Sequence, residues 1–135
     1  MSNESRKQWV LSFVEEVWNG RNIAAIPKYL VAGTFYAGNI ANSIKFLSTS
    51  FPDYEISVQD IIVEEDKVAI RTTLRGTHSG SFMGHSPTGK TIQAQFIGIY
   101  KFKENKIVTG VVEGDWLVLY QELGITPRIE GAEVS

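Results

Sequence analysis

The chain has 135 residues, 43% of them hydrophobic and 21% charged, with a formal net charge of −2, which fits one ordinary globular domain with a buried core. Acidic and basic residues are interleaved, so no basic stripe points to nucleic acid and no polybasic helix points to a membrane surface. With no cysteine in the chain, disulfides, thiolate nucleophiles, zinc–thiolate sites and iron–sulfur clusters are excluded.

Met1 to Lys7 lead into an amphipathic pattern, not into a continuous apolar stretch with a cleavage site. We therefore expect no signal peptide and no membrane span, and a cytoplasmic protein as the default. Ser2 or Asn3 can cap a first helix, along which Trp9, Val10, Phe13, Val14, Val17 and Trp18 recur at helical spacing until Gly20. Two tryptophans on one stripe read as core or pocket wall. Asn22 can cap a short second helix limited by Pro27, and Thr34-Phe35-Tyr36 reads as a short extended piece ended by Gly38. Asn39 is the expected cap of a third helix with Ile40, Ile44 and Leu47 on one face, ending near Phe51-Pro52.

From Tyr54 the hydrophobic period changes to two. Ile56, Val58, Asp60 and Ile62 alternate with Ser57, Gln59, Ile61 and Val63, so both faces of this strand are partly apolar. Glu65-Asp66 predicts a turn, Lys67 to His78 a second strand, Lys90 to Lys103 a third, Glu104-Asn105 a tight reversal, and Lys106 to Asp115 a fourth. Helices followed by long sequential strands predict an α+β fold with an antiparallel meander. Strands of that length curl, and helices laid across the concave face enclose a cavity. One domain over residues 1–128 and a flexible tail over 129–135 are expected.

The connection from His78 to Lys90 is long for a hairpin, and it sets Phe82 and Met83 among Gly80, Gly84, Pro87 and Gly89. Such a loop closes over a pocket mouth or tucks against a partner subunit, and sequence does not separate the two. With two histidines, and no His-x-x-x-His or Glu-x-x-His spacing, no metal site is expected. Phosphate-binding, dinucleotide-binding and Gly-x-Ser-x-Gly motifs are absent as well. Cofactor-free acid–base chemistry or simple ligand binding remains.

Asp115 has two readings. Set among Val111, Val112, Trp116 and Leu117, a carboxylate in apolar surroundings is a candidate general base. It also directly precedes an apolar run, Trp116 to Leu123, which reads as a short helix stopped by Gly124, and Asp is a favoured N-cap. Glu113, two residues back in a strand, would share its face.

Gly76-Thr77-His78-Ser79-Gly80-Ser81-Phe82-Met83-Gly84, followed by Pro87-Thr88-Gly89-Lys90, resembles the mid-chain signature of the SnoaL-like polyketide cyclases. Asp115-Trp116-Leu117-Val118-Leu119-Tyr120-Gln121-Glu122-Leu123-Gly124 resembles their C-terminal ending, and Glu16 to Gly20 and Phe51 to Tyr54 also match. The resemblance spans about Arg6 to Pro127. It implies the NTF2-like cone, a curved antiparallel sheet around a helix-covered pocket, as a homodimer. It also implies intramolecular aldol chemistry without a cofactor, with Asp115 matching the family's basic aspartate. The sequence departs from the family pattern at Tyr36-Ala37-Gly38-Asn39 and at Gly110-Val111, where many relatives carry His-Asp and His-Trp pairs.

From these readings we expect catalytic roles for Asp115 and His78. Ligand contacts are expected from Trp18, Tyr36, Phe82, Gln93, Gln95, Phe96 and Glu113. The ligand is expected to be an apolar, carbonyl-rich small molecule. A non-catalytic binding or dimerisation module of the same fold is the alternative, because fold alone does not decide function.

Overall fold

Ser2 caps the first helix, α1 (Asn3–Phe13), its hydroxyl oxygen accepting the Ser5 N–H at 3.0 Å. The computed structural model describes residues 1–125; Pro127, residues 126–128 of the expected domain and the expected tail 129–135 lie outside the described residues. A π-helical turn, Val14–Asn19, continues α1. The wider turn ends at Gly20, whose N–H reaches Glu15 O at 2.8 Å, and a side chain there would overlap the Glu16 carbonyl. Asn19 then acts as a piece of strand. Its amide nitrogen donates to Ile56 O at 2.9 Å and its oxygen accepts the Ile56 N–H at 2.8 Å, covering the edge of the sheet.

Asn22 precedes a 3-10 turn, Ile23–Ala25, without a side-chain capping bond, and Pro27 starts the short α2 (Ile26–Tyr29) from its first turn, where proline is tolerated, and does not bend it. The third helix corrects the sequence expectation. Phe35 and Tyr36 are helical, not extended, because Thr34 caps α3 (Phe35–Ser50) by accepting the Ala37 N–H at 3.2 Å. Asn39 lies inside the helix, where its amide donates to Phe35 O. A β-branched, aromatic triplet reads as strand on propensity alone, but here a capping threonine starts a helix that buries Ile40, Ile44 and Leu47.

β1 (Glu55–Glu64), β2 (Lys67–Thr77), β3 (Thr91–Lys103) and β4 (Lys106–Gly114) form one antiparallel sheet in sequential order. A bulge at Gln59 explains the two apolar faces of β1. Val58 pairs with Thr72 and Asp60 with Arg71, so one extra residue reverses the side-chain phase. Ile56 and Val58 before the bulge, and Ile61 and Val63 after it, all pack against the inner core. A second irregularity leaves Val108 between Ile107, paired with Phe102, and Thr109, paired with Lys101. Such bulges increase strand twist, and the sheet curls around its inner face.

Two buried clusters fill the concave side. Phe13, Tyr29, Ile40, Tyr100, Phe102 and Ile107 belong to one, and Leu47, Phe51, Tyr54, Phe82, Ile92 and Leu119 to the other. α4 (Trp116–Glu122) closes the second end, and Gly124 follows at φ +75°. Among the described residues no helix is long and apolar enough to cross a membrane.

Asp53 ties the link between α3 and β1 to the end of β2, accepting the Thr77 N–H and the Thr77 hydroxyl, each at 2.7 Å. Those two bonds, the backbone one first, hold its carboxyl below the usual range. A carboxyl depressed in the folded state stabilises the fold above the unfolded value, about 3.9, and loses that contribution as pH falls through the folded value. Asp53→Asn is therefore expected to lower the urea midpoint at about pH 7, with the gap to the wild type closing toward about pH 2. A gap independent of pH would show that the charge is not what stabilises this link.

Candidate functional site

The curl of the sheet and the span of α3 across it leave a cavity of about 510 Å³ between the two buried clusters. From the sheet it is lined by Ile56, Ile70, Leu74, Phe96, Gly98 and Tyr100, with Thr72 and Val112. Tyr36, Ile40, Phe46 and Leu47 of α3 form the roof, with Asn39, Asn42 and Ser43 along its edge. Val14 and Trp18 close one side and Trp116 stands at the start of α4. The mouth lies where lining residues are exposed, between Asn42, Ser43 and Phe46 of α3 and Val112 and Trp116 across from them.

The deep end is aromatic. Phe13 stacks edge-on against Tyr100 at 5.9 Å and against Tyr36 at 6.5 Å, and the two tyrosine rings lie 5.6 Å apart with their hydroxyls 3.2 Å from each other. Burial raises the Tyr36 hydroxyl well above the ordinary tyrosine range, with Tyr100 adding to the effect and a hydrogen bond from Trp18 opposing it. Burial also raises Tyr100, against the bond from Tyr36. Both are neutral at physiological pH. Thr72 is the other polar group of the sheet lining, and its hydroxyl is already given to Phe96 O at 3.4 Å.

Glycines make room for this wall. A Cβ at Gly110 would lie 2.8 Å from two ring atoms of Tyr36 and 3.0 Å from Tyr100, and a Cβ at Gly98 would lie 3.1 Å from the Tyr100 oxygen. A Cβ at Gly114 would overlap the Phe96 ring, which meets Trp116 edge-on at 5.2 Å. The two departures from the family pattern are thus one feature: Tyr36 fills the space above Gly110.

Of the residues singled out in the sequence, Trp18, Tyr36 and Phe96 line the cavity together. Asp115 is not among the lining residues; it precedes Trp116 of the mouth in sequence and is exposed to solvent, with Oδ1 accepting the Val118 N–H at 3.1 Å as the cap of α4. Its own N–H donates to Gln95 O. Gln93, Gln95 and Glu113 are exposed on the outer face. There the Gln93 and Gln95 side chains bond Arg75 and Arg71. His78 and Phe82 lie in the second core. His78 is fully buried, packed 5.9 Å from Phe51 and 6.1 Å from Phe82, and its Nδ1 accepts the Thr88 N–H at 3.2 Å. The loop they belong to packs into its own chain, where Phe82 inserts between Phe51, Tyr120 and Phe46, the last of which also lines the cavity. Among the described residues no three His, Cys, Asp or Glu side chains gather as a metal site would need.

Tyr100 was not singled out in the sequence. The signal for it was the inward phase of β3, where Phe96, Gly98 and Tyr100 recur at every second residue opposite Gly114, Val112 and Gly110.

The family model of the SnoaL-like polyketide cyclases matches residues 8–123. The chain belongs to the SnoaL-like polyketide cyclase family. A comparison with curated proteins found no match. Solved structures share the fold of this family member. AclR, a proposed hydroxylase from Streptomyces galilaeus, is 28% identical with a TM-score of 0.80, covering 96% of this chain and 91% of its own. A proposed polyketide cyclase from Acidithiobacillus ferrooxidans is 26% identical with a TM-score of 0.78, over 92% and 98%. IdmH from Streptomyces antibioticus, a proposed polyketide cyclase, is 24% identical with a TM-score of 0.74, over 88% and 98%, a likeness of fold. The NTF2-like cone expected from the sequence is the fold observed.

The fit of Tyr36 over Gly110 is testable. Gly110→Ala should cost about 1–3 kcal/mol by overpacking, and the cost should be clearly smaller in a Tyr36→Ala background, where only the Tyr100 contact is left. Equal costs in both backgrounds, from urea melts, would show that the two positions are not coupled.

Proposed function

We propose that this SnoaL-like protein is a cofactor-independent cyclase or isomerase of an apolar, carbonyl-bearing small molecule held in the cavity, with Asp115 as general base. The observation that carries the reading is the cavity itself. It has the volume of a small-molecule site and a lining that is mainly apolar and aromatic, and Trp116 at its mouth directly follows the carboxylate of Asp115. An α-carbon next to a carbonyl gives up its proton readily, so one carboxylate suffices as base. A closed apolar site that holds the resulting carbanion against a second carbonyl supplies proximity for ring closure. Capping occupies only Oδ1 of Asp115. Oδ2 is left for the proton.

A specific observation favours the alternative of a binding module. Among the described residues no carboxylate and no imidazole lines the cavity, and Asp115 faces solvent. Proton exchange separates the two readings. With beta-tetralone in deuterated buffer, followed by NMR, the enzyme should speed exchange of the acidic methylene, and Asp115→Asn should slow it by about 100-fold or more. Binding of the ketone without faster exchange would leave the binding module.

The proposal includes a homodimer formed through the outer face of the sheet. Ile62, Ala69, Ile99 and Val111 form one cross-strand row there, with Ile62 67% and Val111 61% exposed. The Asp60–Arg71 ion pair, at 2.7 Å, and Glu113 run alongside, so a twofold copy sets apolar row on apolar row and opposite charges at its margin. Ile99→Glu should convert a dimer to a monomer in analytical ultracentrifugation. A wild type that sediments as a monomer at micromolar concentration would remove the dimer from the proposal.

A further inference from the structure

We propose that the Tyr36–Tyr100 hydroxyl pair is a buried hydrogen-bond anchor for a carbonyl oxygen at the inner end of the ligand, remote from Asp115. This rests on the reading of the cavity as a ligand site and adds where the ligand's second oxygen must lie. The pair carries two hydroxyl hydrogens. One, donated by Tyr36, closes the bond between the two oxygens. The remaining hydrogen, that of Tyr100, is given to no acceptor among the described residues, and the two rings lie against Phe13 and the bare backbone of Gly98. A buried donor without an acceptor is costly, and a ligand carbonyl in the cavity relieves that cost. Because both hydroxyls stay neutral at physiological pH, they serve as donors over the whole working range.

The strand register sets the spacing. Tyr100 leans back over Gly98, which pairs with Val112, and Asp115 lies three residues farther along β4. At the rise of a strand that is roughly 10 Å. One carbonyl does not reach both groups. The ligand class is therefore an extended, flat apolar molecule with two oxygen functions about the length of a three-ring system apart. One oxygen is anchored at the tyrosines, and the other activates the carbon that faces Asp115.

Acetylnaphthalene and ethylnaphthalene, nearly equal in shape but differing in the carbonyl, are the probes. The Tyr36→Phe/Tyr100→Phe double variant keeps both rings and removes both hydroxyls, and circular dichroism and a urea melt check that it folds. Acetylnaphthalene should bind the double variant roughly three- to tenfold more weakly than the wild type, with ethylnaphthalene unchanged. The infrared band of its isotopically labelled carbonyl should shift to lower frequency on binding the wild type and not the variant. If both probes bind both proteins alike and the carbonyl band does not move, the anchor is overturned while the cavity stands as a ligand site. If neither probe binds the wild type, the ligand site fails and the anchor fails with it.

Discussion

At Gly98, Gly110 and Gly114 the inner face of β3 and β4 gives up its own side chains to rings that arrive from elsewhere. Tyr36 descends from α3 onto Gly110, Tyr100 folds back along its strand over Gly98, and Phe96 lies across Gly114. The lining of the cavity depends on this exchange. A strand glycine normally weakens a sheet, through backbone entropy and the loss of a side chain to pack. Here each one lets a larger ring come close to the backbone, so apolar area is recovered from a neighbour. The exchange also fixes orientation. Rings wedged against bare backbone have little freedom to rotate, and the two tyrosine oxygens are held together by that restraint as much as by their own bond.

The cavity is better understood as a gap between two cores than as a hole in one. Trp18 and Ile56 touch both clusters, and the space between them is not filled by any described side chain. Protein interiors pack to crystal-like density, and apolar voids are destabilising in proportion to their volume. A space this large is maintained by rigid walls. The curl from the two bulges, the Asn19 clasp on Ile56 and the Asp53 link to Thr77 hold the walls apart, and none of them depends on side chains inside the cavity. A ligand that fills the gap binds the folded chain alone and would stabilise it by mass action.

Much of this was legible in the sequence because its signals are local. The strands end at Gly, Glu-Asp and Glu-Asn pairs where the chain must reverse, and their observed limits fall within a residue or two of those expected. The cap at Asp115 was legible for the same reason, since a helix start is written in adjacent residues. What was not legible depended on pairing across the chain. The bulge at Gln59 is a property of two strands, so β1 alone offered only an ambiguous face. Thr34 caps a helix that takes in Phe35 and Tyr36, and that helix sets Tyr36 over Gly110, a residue far away in sequence. His78 and Phe82 stood out as functional by type and by their loop, yet both pack on core aromatics, Phe51 just after α3 for both and Tyr120 of α4 for Phe82. Tyr100 went unnoticed because an inward tyrosine on a strand looks like any other core residue until its partner is known.

The sequence offered cap and base as alternatives for Asp115, and the geometry makes them compatible. A carboxylate held by one oxygen keeps a fixed rotamer, and a catalytic group needs that fixity more than it needs reach. What the isolated site lacks is exclusion of water, since Asp115 is exposed and the nearest apolar walls are Trp116 and Val112 at the mouth. On the proposed reading the substrate supplies the missing wall. A flat ligand anchored at the deep tyrosines and seated against Trp116 covers the cavity side of the carboxylate, and removal of water there strengthens whatever hydrogen bond the carboxylate makes to it. A molecule too short to reach the tyrosines would leave Asp115 wet. In such a site length raises the rate of turnover above what a short ketone reaches, and a preference for extended substrates follows without any side chain dedicated to rejecting short ones.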